Sequence, residues 1–268
     1  SSWYAKDKID RSKSRLSSTQ YFDSIDVKTS SVPGVTDQVD ISLHVIERNT
    51  GKLMLGAGVS SNEGLVGTFT VSQSNFLGTG NTVSTSVSTG EVNKTYALSY
   101  TDPYWTDDGV ARTVGAYRKD VNTSDLSTAS YNTYSYGANI GFGIPLSEYH
   151  SLALSTTLDL TDIELGANAT QEYIDYCRDL SGSTTTNDCN SDSLLVASAY
   201  KKDSRNNAQF PTEGTYYAIN GHLALPVVDM RYYIVTAAAE KYWPLPNNIS
   251  FKAKAVLGYA DSYGDRKF

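Results

Sequence analysis

Tyr134-Ser135-Tyr136-Gly137-Ala138-Asn139-Ile140-Gly141-Phe142-Gly143-Ile144 is the stretch whose pattern decides the fold. Its even positions carry Tyr, Tyr, Ala, Ile, Phe and Ile, and its odd positions Ser, Gly, Asn, Gly and Gly. A strand sends successive side chains to opposite sides, so this period of two gives one apolar face and one small, wet face. The same contrast recurs outward in both directions. Leu152, Leu154, Leu158 and Leu160 oppose Ala153, Ser155, Thr157, Asp159 and Thr161. Phe251, Ala253, Ala255, Leu257 and Tyr259 oppose Lys252, Lys254 and Gly258, and Leu53, Leu55, Ala57 and Val59 oppose Gly56, Gly58 and Ser60.

About eleven such segments follow Lys52, most of them near the ~9–11 residues with which a tilted strand crosses a bilayer. Short turns (Asn75 to Gly80, Ile144 to Tyr149, Pro244 to Asn248) alternate with longer polar loops (Asp120 to Ser130, Gly166 to Ser193). That is the arrangement of an outer-membrane barrel, with periplasmic turns and surface loops. Aromatic residues at the strand ends (Tyr100, Tyr104, Trp105, Tyr149, Tyr216, Tyr217, Tyr232, Tyr233, Tyr242 and Trp243) read as interfacial girdles. A secreted β-sandwich also alternates, but its strands are typically ~5–6 residues long.

Composition agrees. Tyr and Gly number 20 each and Met and Cys 2 each, a mixture that favours strands and turns. Mean hydropathy is −0.35, and no stretch approaches the ~20 apolar residues of a transmembrane helix. A net charge of −7 offers nucleic acid no basic face.

The first 50 residues are different. Ala5 to Leu16 is a charged run with Ile9 and Leu16 on one helix face, and the strands Tyr21 to Val27 and Val39 to Glu47 flank the turn Val32-Pro33-Gly34. Helix, strand, turn, strand makes a small α+β unit.

Several stretches of sequence carry a resemblance. Ser1-Ser2-Trp3-Tyr4 through Tyr21-Phe22-Asp23-Ser24-Ile25-Asp26-Val27, then Pro33-Gly34, Asp37-Gln38-Val39-Asp40 and Val45 to Gly51, resemble the end of a polypeptide-transport-associated (POTRA) repeat and its join to a barrel. Val71 to Gly80, Thr101-Asp102-Pro103-Tyr104-Trp105-Thr106 and Phe210-Pro211-Thr212-Glu213-Gly214 continue the pattern. Together they are similar to the family of central subunits of the outer-membrane β-barrel assembly machinery. The resemblance implies a mainly β fold: a transmembrane antiparallel β-barrel, with a partial α+β POTRA domain over 1–50 in the periplasm and the N-terminal portion of the barrel over 51–268.

The family's barrel has sixteen strands and a sixth loop bearing a Val-Arg-Gly-Phe motif, so the sequence reads as a fragment that stops at Phe268, before that loop. Phe268 reads as an accidental end, since Gly264 and Arg266 stand where a terminal barrel strand would be apolar.

Chemistry-bearing constellations are sparse. His44, His150 and His222 lie in separate segments without a second ligand at metal spacing, and Gly56-Ala57-Gly58 and Gly141-Phe142-Gly143 lack a following helix. Neither an enzyme activity nor a cofactor is expected. Cys177 and Cys189 close about a dozen residues; in an oxidising compartment they suit a disulfide, with a metal pair or free thiols as alternatives. Gln171 to Leu180 reads as a short helix in that loop, and Thr101 to Trp105 as a structural strand exit.

The segment singled out for function is the first barrel strand, Lys52-Leu53-Met54-Leu55-Gly56-Ala57-Gly58-Val59-Ser60. Gly56 and Gly58 reduce packing there, and an edge that opens accepts another strand through main-chain hydrogen bonds. The resemblance implies a lateral gate templating unfolded outer-membrane proteins, with accessory lipoproteins and outer-membrane lipid as further partners. A secretion translocator passing polypeptide through the lumen is the alternative, and a diffusion porin lined by Lys252 and Lys254 a third.

Overall fold

The computed structural model describes residues 5–18, 21–35, 38–61, 63–123, 131–182, 188–207, 210–246 and 249–264. The Ser1 to Tyr4 motif, Asp37, most of the loop after Asp120, Arg266 and Phe268 lie outside the described residues.

Helix α1 (Lys6–Ser18) packs on β1 (Phe22–Ser31), which pairs antiparallel with β2 (Val39–Glu47). β1 runs further than its apolar alternation, because the polar Lys28 to Ser31 still find ladder partners in Ser42 to Val39.

The rest is one antiparallel sheet. Its strands are β3 (Gly51–Ser60), β4 (Gly64–Gln73), β5 (Thr82–Thr89), β6 (Asn93–Asp102), β7 (Ala111–Asn122), β8 (Tyr131–Pro145), β9 (His150–Leu165), β10 (Asp188–Asn190), β11 (Ser193–Asp203), β12 (Gly214–Ala224), β13 (Tyr232–Leu245) and β14 (Ile249–Ser262). Eleven of them follow one another in chain order from β3 to β14, while the short β10 extends β9 and helix α2 (Gln171–Ser181) precedes it. The rim nearest β2 and the start of β3 is here called proximal, and the opposite rim distal.

Register makes the two faces continuous. Leu55 lies opposite Phe69, Phe69 opposite Val87, Val87 opposite Tyr96, and on the far side Ile219 opposite Ala237 and Ala237 opposite Leu257. Directly paired residues share a face, so these apolar positions form one outer surface. The other face carries Ser84, Ser99, Thr113, Asn139, Thr157, Asn220 and Thr236. A sandwich would bury the first surface; instead Leu55 and Leu257 are each 73% exposed.

Two expectations need correction. Tyr216, Tyr232 and Tyr242 are not girdle residues: they pair with Glu240, Ser262 and Gly214 on the polar face, and Tyr242 is buried there. Neighbours along a strand point to opposite faces, so only the second member of Tyr216-Tyr217 and Tyr232-Tyr233, and Trp243 after Tyr242, sit on the outer surface. Loop length also fails to separate the rims, since proximal segments 103–110 and 204–213 are longer than distal links 61–63 and 90–92.

Candidate functional site

The chain reaches β3 through a short, well-held join. Arg48 N–H donates to the Tyr21 carbonyl (2.9 Å), Gln73 Nε2 donates to Thr50 Oγ1 (2.8 Å), and Ser74 N–H donates to the Thr50 carbonyl (3.3 Å). That last bond sets the phase of the β3–β4 ladder. Bonded pairs in an antiparallel ladder recur every second residue, so Lys52, Met54, Gly56, Gly58 and Ser60 turn their main-chain groups to β4. Leu53, Leu55, Ala57 and Val59 turn theirs away, and among the described residues no strand lies on that side.

The sequence-flagged segment is thus an ordered edge strand with two distinct sets of positions. The odd set combines a backbone turned away from β4 with apolar outer-face side chains; Leu53, Leu55 and Val59 are 63%, 73% and 87% exposed. The glycines lie in the even set. A Cβ on Gly56 would strike the Thr68 hydroxyl, whereas one on Gly58 would meet open space. Gly56 therefore admits Thr68 across the ladder, and Gly58 leaves a gap in the inner surface.

A second contact ties the α+β unit to the sheet. Tyr21 Oη donates to the Gly80 carbonyl (2.8 Å) in the turn between β4 and β5. Burial, with Tyr104 nearby, holds the Tyr21 hydroxyl above the usual phenol range and keeps it a donor. The acceptor turn is stiff: Asn75 and Leu77 have φ of 54° and 52°, Gly78 and Gly80 also have positive φ, and Gly80 N–H donates to Asn75 Oδ1 (2.8 Å). Nothing in the sequence marked Tyr21 for this contact, because strand alternation says nothing of a partner so far along the chain.

On the polar face at the proximal rim, Glu240 accepts from Tyr242 Oη (2.8 Å), Lys252 Nζ (3.2 Å) and Lys254 Nζ (3.3 Å). Arg205 forks onto Asp203 (2.8 Å to each oxygen) and lies over the Tyr216 ring. The two lysines read as lumen residues do face that way. At the distal rim Cys177 of α2 is disulfide-bonded to Cys189 of β10, as expected, with both buried. Tyr173 packs on Tyr131, a polar-face position, so α2 leans over the inner side of the wall. Tyr176 Oη and Ser191 Oγ share a hydrogen bond (2.9 Å), and Asp192 N–H donates to Asp229 Oδ2 (3.0 Å), joining two distal loops. His150 contacts Tyr200, and no group of His, Cys, Asp or Glu among the described residues has metal-binding geometry.

A membrane-barrel wall whose first strand follows directly on an α+β unit defines the class: an outer-membrane barrel with an attached helix–strand–strand domain. The Omp85 superfamily domain matches residues 75–268, and the chain belongs to that superfamily. It is 30% identical over 98% of its length to the outer membrane protein assembly factor BamA of Neisseria meningitidis, covering 34% of that protein. It is likewise 30% identical over 57% of its length to the BamA of Nitratidesulfovibrio vulgaris, covering 18% of it. The solved structure of BamA from Haemophilus ducreyi lacking POTRA domains 1–3 superposes with a TM-score of 0.80 at 28% identity over 99% of this chain and 51% of that one. The chain therefore spans about a third to a half of the relatives it matches along nearly its whole length. As in those relatives, the sheet is an outer-membrane β-barrel wall.

Proposed function

We propose that the protein assembles and inserts β-barrel proteins into the bacterial outer membrane, with β3 as the templating edge and no covalent chemistry. One observation carries this reading: Leu53, Leu55, Ala57 and Val59 hold their N–H and C=O groups clear of β4 while presenting apolar side chains on the outer face. An unpaired backbone group in hydrocarbon costs several kcal/mol, so the edge favours any strand that pairs with it, whatever that strand's sequence. Burial of the client's own apolar face adds about 25 cal/mol per Å², and no nucleotide is needed.

Residues 1–50 are read as the C-terminal part of a periplasmic POTRA domain and 51–268 as the N-terminal portion of the barrel, which makes the proximal rim periplasmic. The names of the relatives support assembly as the activity. Unfolded outer-membrane proteins are the proposed substrates, with accessory lipoproteins and outer-membrane lipid as partners.

The test is position-specific cross-linking in the full-length protein, reconstituted in proteoliposomes. Leu55→Cys and Ala57→Cys are expected to trap a cysteine-bearing client strand at defined register, and Val114→Cys on the wall strand β7 is not. Equal trapping at all three positions would overturn the edge reading. Trapping on the polar face instead, through Asn139→Cys or Thr236→Cys, would make the protein a translocator that passes polypeptide through its lumen.

A further inference from the structure

The outer face of β9 to β14 changes charge between its rims. At the proximal rim, Lys202 lies opposite His150 on β9 and Tyr217 on β12, and Lys241 lies opposite Thr215 and Ala253. Among the described strand residues of this part of the face none is a carboxylate; Glu148 and Glu213 lie exposed in the adjoining proximal links. The neighbouring Asp203 and Glu240 point to the lumen, where Arg205 and the pair Lys252 and Lys254 hold them. At the distal rim the same face carries Asp162, Glu164 and Asp261. In a chain of net charge −7, the strand-borne charges of this proximal face are reversed in sign.

Beside Lys241 the outer face is hollow. A groove of ≈ 220 Å³ runs between β12, β13 and β14, lined by Tyr217, Ala239, Lys241, Ala253 and Ala255. Glu240 and Lys254 also border it, but their charged ends meet each other on the inner face at 3.3 Å. Trp243 stacks on Phe251 (5.5 Å between centroids) at the proximal end of the groove, and Lys241 Nζ lies 5.0 Å from the Trp243 centroid. A cation at the rim, aromatic rings at interface depth and an alanine-lined channel leading into the apolar belt together match one amphiphile.

We infer that this sector binds an anionic phospholipid of the proximal leaflet, its phosphate between Lys202 and Lys241 and an acyl chain along Ala239 and Ala255. A free phosphate would leave the channel unused. A second copy of the chain fits poorly, because copies inserted in the same direction bring basic rim against basic rim.

The experiment uses the full-length protein in phosphatidylcholine bilayers doped with brominated phosphatidylglycerol or brominated phosphatidylcholine. Quenching of Trp243 is isolated by subtracting a Trp243→Phe variant, and folding is checked by heat-modifiable gel mobility. Phosphatidylglycerol is expected to quench at lower mole fraction, with about a fivefold preference per lysine near the surface. The preference should vanish in the Lys202→Gln/Lys241→Gln variant and weaken at high salt. Ala239→Leu with Ala255→Leu should reduce quenching by both lipids while leaving the charge in place. Equal quenching by the two lipids in the unmodified protein, or an unchanged preference in the double glutamine variant, would overturn the site. Loss of the preference on adding inorganic phosphate alone would show a free-anion site and overturn the lipid assignment.

Discussion

Replacing Leu55 by proline separates the two sets of positions on β3. Proline removes one N–H, and at Leu55 that N–H points to the free edge, so the β3–β4 ladder through Met54 and Gly56 keeps its bonds. The edge loses one of the donors spread over Leu53, Leu55, Ala57 and Val59, and an incoming strand loses the matching bond. A backbone acceptor left without its partner in a low-dielectric setting costs about 1–3 kcal/mol. If that bond forms in the rate-limiting complex, the cost corresponds to insertion slowed roughly 5- to 150-fold. Leu55→Ala is the control, since it shortens the same outer-face side chain and keeps the donor. The assay is the rate at which a client barrel becomes heat-modifiable in proteoliposomes carrying the full-length variant. Matching rates for Leu55→Pro and Leu55→Ala would refute main-chain templating at this edge. Met54→Pro would cut the bond to β4 instead and is expected to lower barrel stability as well as activity.

Tyr21→Phe deletes the hydroxyl that bonds the Gly80 carbonyl, so the α+β unit should lose about 0.5–1.5 kcal/mol of docking; spin-label distances between residue 28 and residue 107 should broaden while the barrel keeps its melting point. Cys177→Ser with Cys189→Ser removes a loop closure worth ~3 kcal/mol, which should expose the α2 segment to protease and leave the wall strands protected. Gly214→Ala places a Cβ against the Ser204 carbonyl at a residue whose φ is 110°; a loss of about 1–3 kcal/mol or more is expected, read as a lower urea midpoint for the folded barrel. Glu240→Gln leaves Lys252 and Lys254 without their carboxylate, and channel recordings should shift toward anion selectivity.

The wall strands were legible because their two faces meet different solvents: Tyr134 to Ile144 alternates without a break and forms the middle of β8, and Val39 to Glu47 matches β2 residue for residue. What composition hides is which of two adjacent aromatics faces which way. Tyr216 and Tyr217 look equivalent in the sequence, and only the register places the first under Arg205 and the second on the outer face. The candidate edge was legible as a segment, but not its internal division. That division follows from a single bond, Ser74 N–H to the Thr50 carbonyl, which fixes which residues of β3 spend their backbone on β4. The Tyr21 contact was invisible, because hydrogen bonds to a carbonyl 59 residues away leave no local pattern.

The ladders also say where such an edge can move. β3 and β4 share 10 residue pairs, but β4 and β5 only 7, whereas β8 and β9 share 15. Since separating strands costs in proportion to the pairs broken, β3 and β4 move together as a hairpin about the β4–β5 ladder before they part from each other. Among the described residues, side-chain clusters brace that hairpin at both ends. At the proximal end Gln73, Thr50 and Ser74 form one cluster, and at the distal end Glu63 accepts from Asn93 N–H (3.0 Å) and the Asn93 side chain while its carbonyl takes Glu91 N–H (3.0 Å). Of the two, the distal clamp crosses from the hairpin to the β5–β6 link and so opposes the swing, whereas the proximal cluster lies within the hairpin and travels with it. Glu63→Ala should therefore raise amide exchange along β4 and β5 while β8 and β9 stay protected, and Gln73→Ala should not. Equal exchange in the two variants would mean that the hairpin is held by its ladder alone.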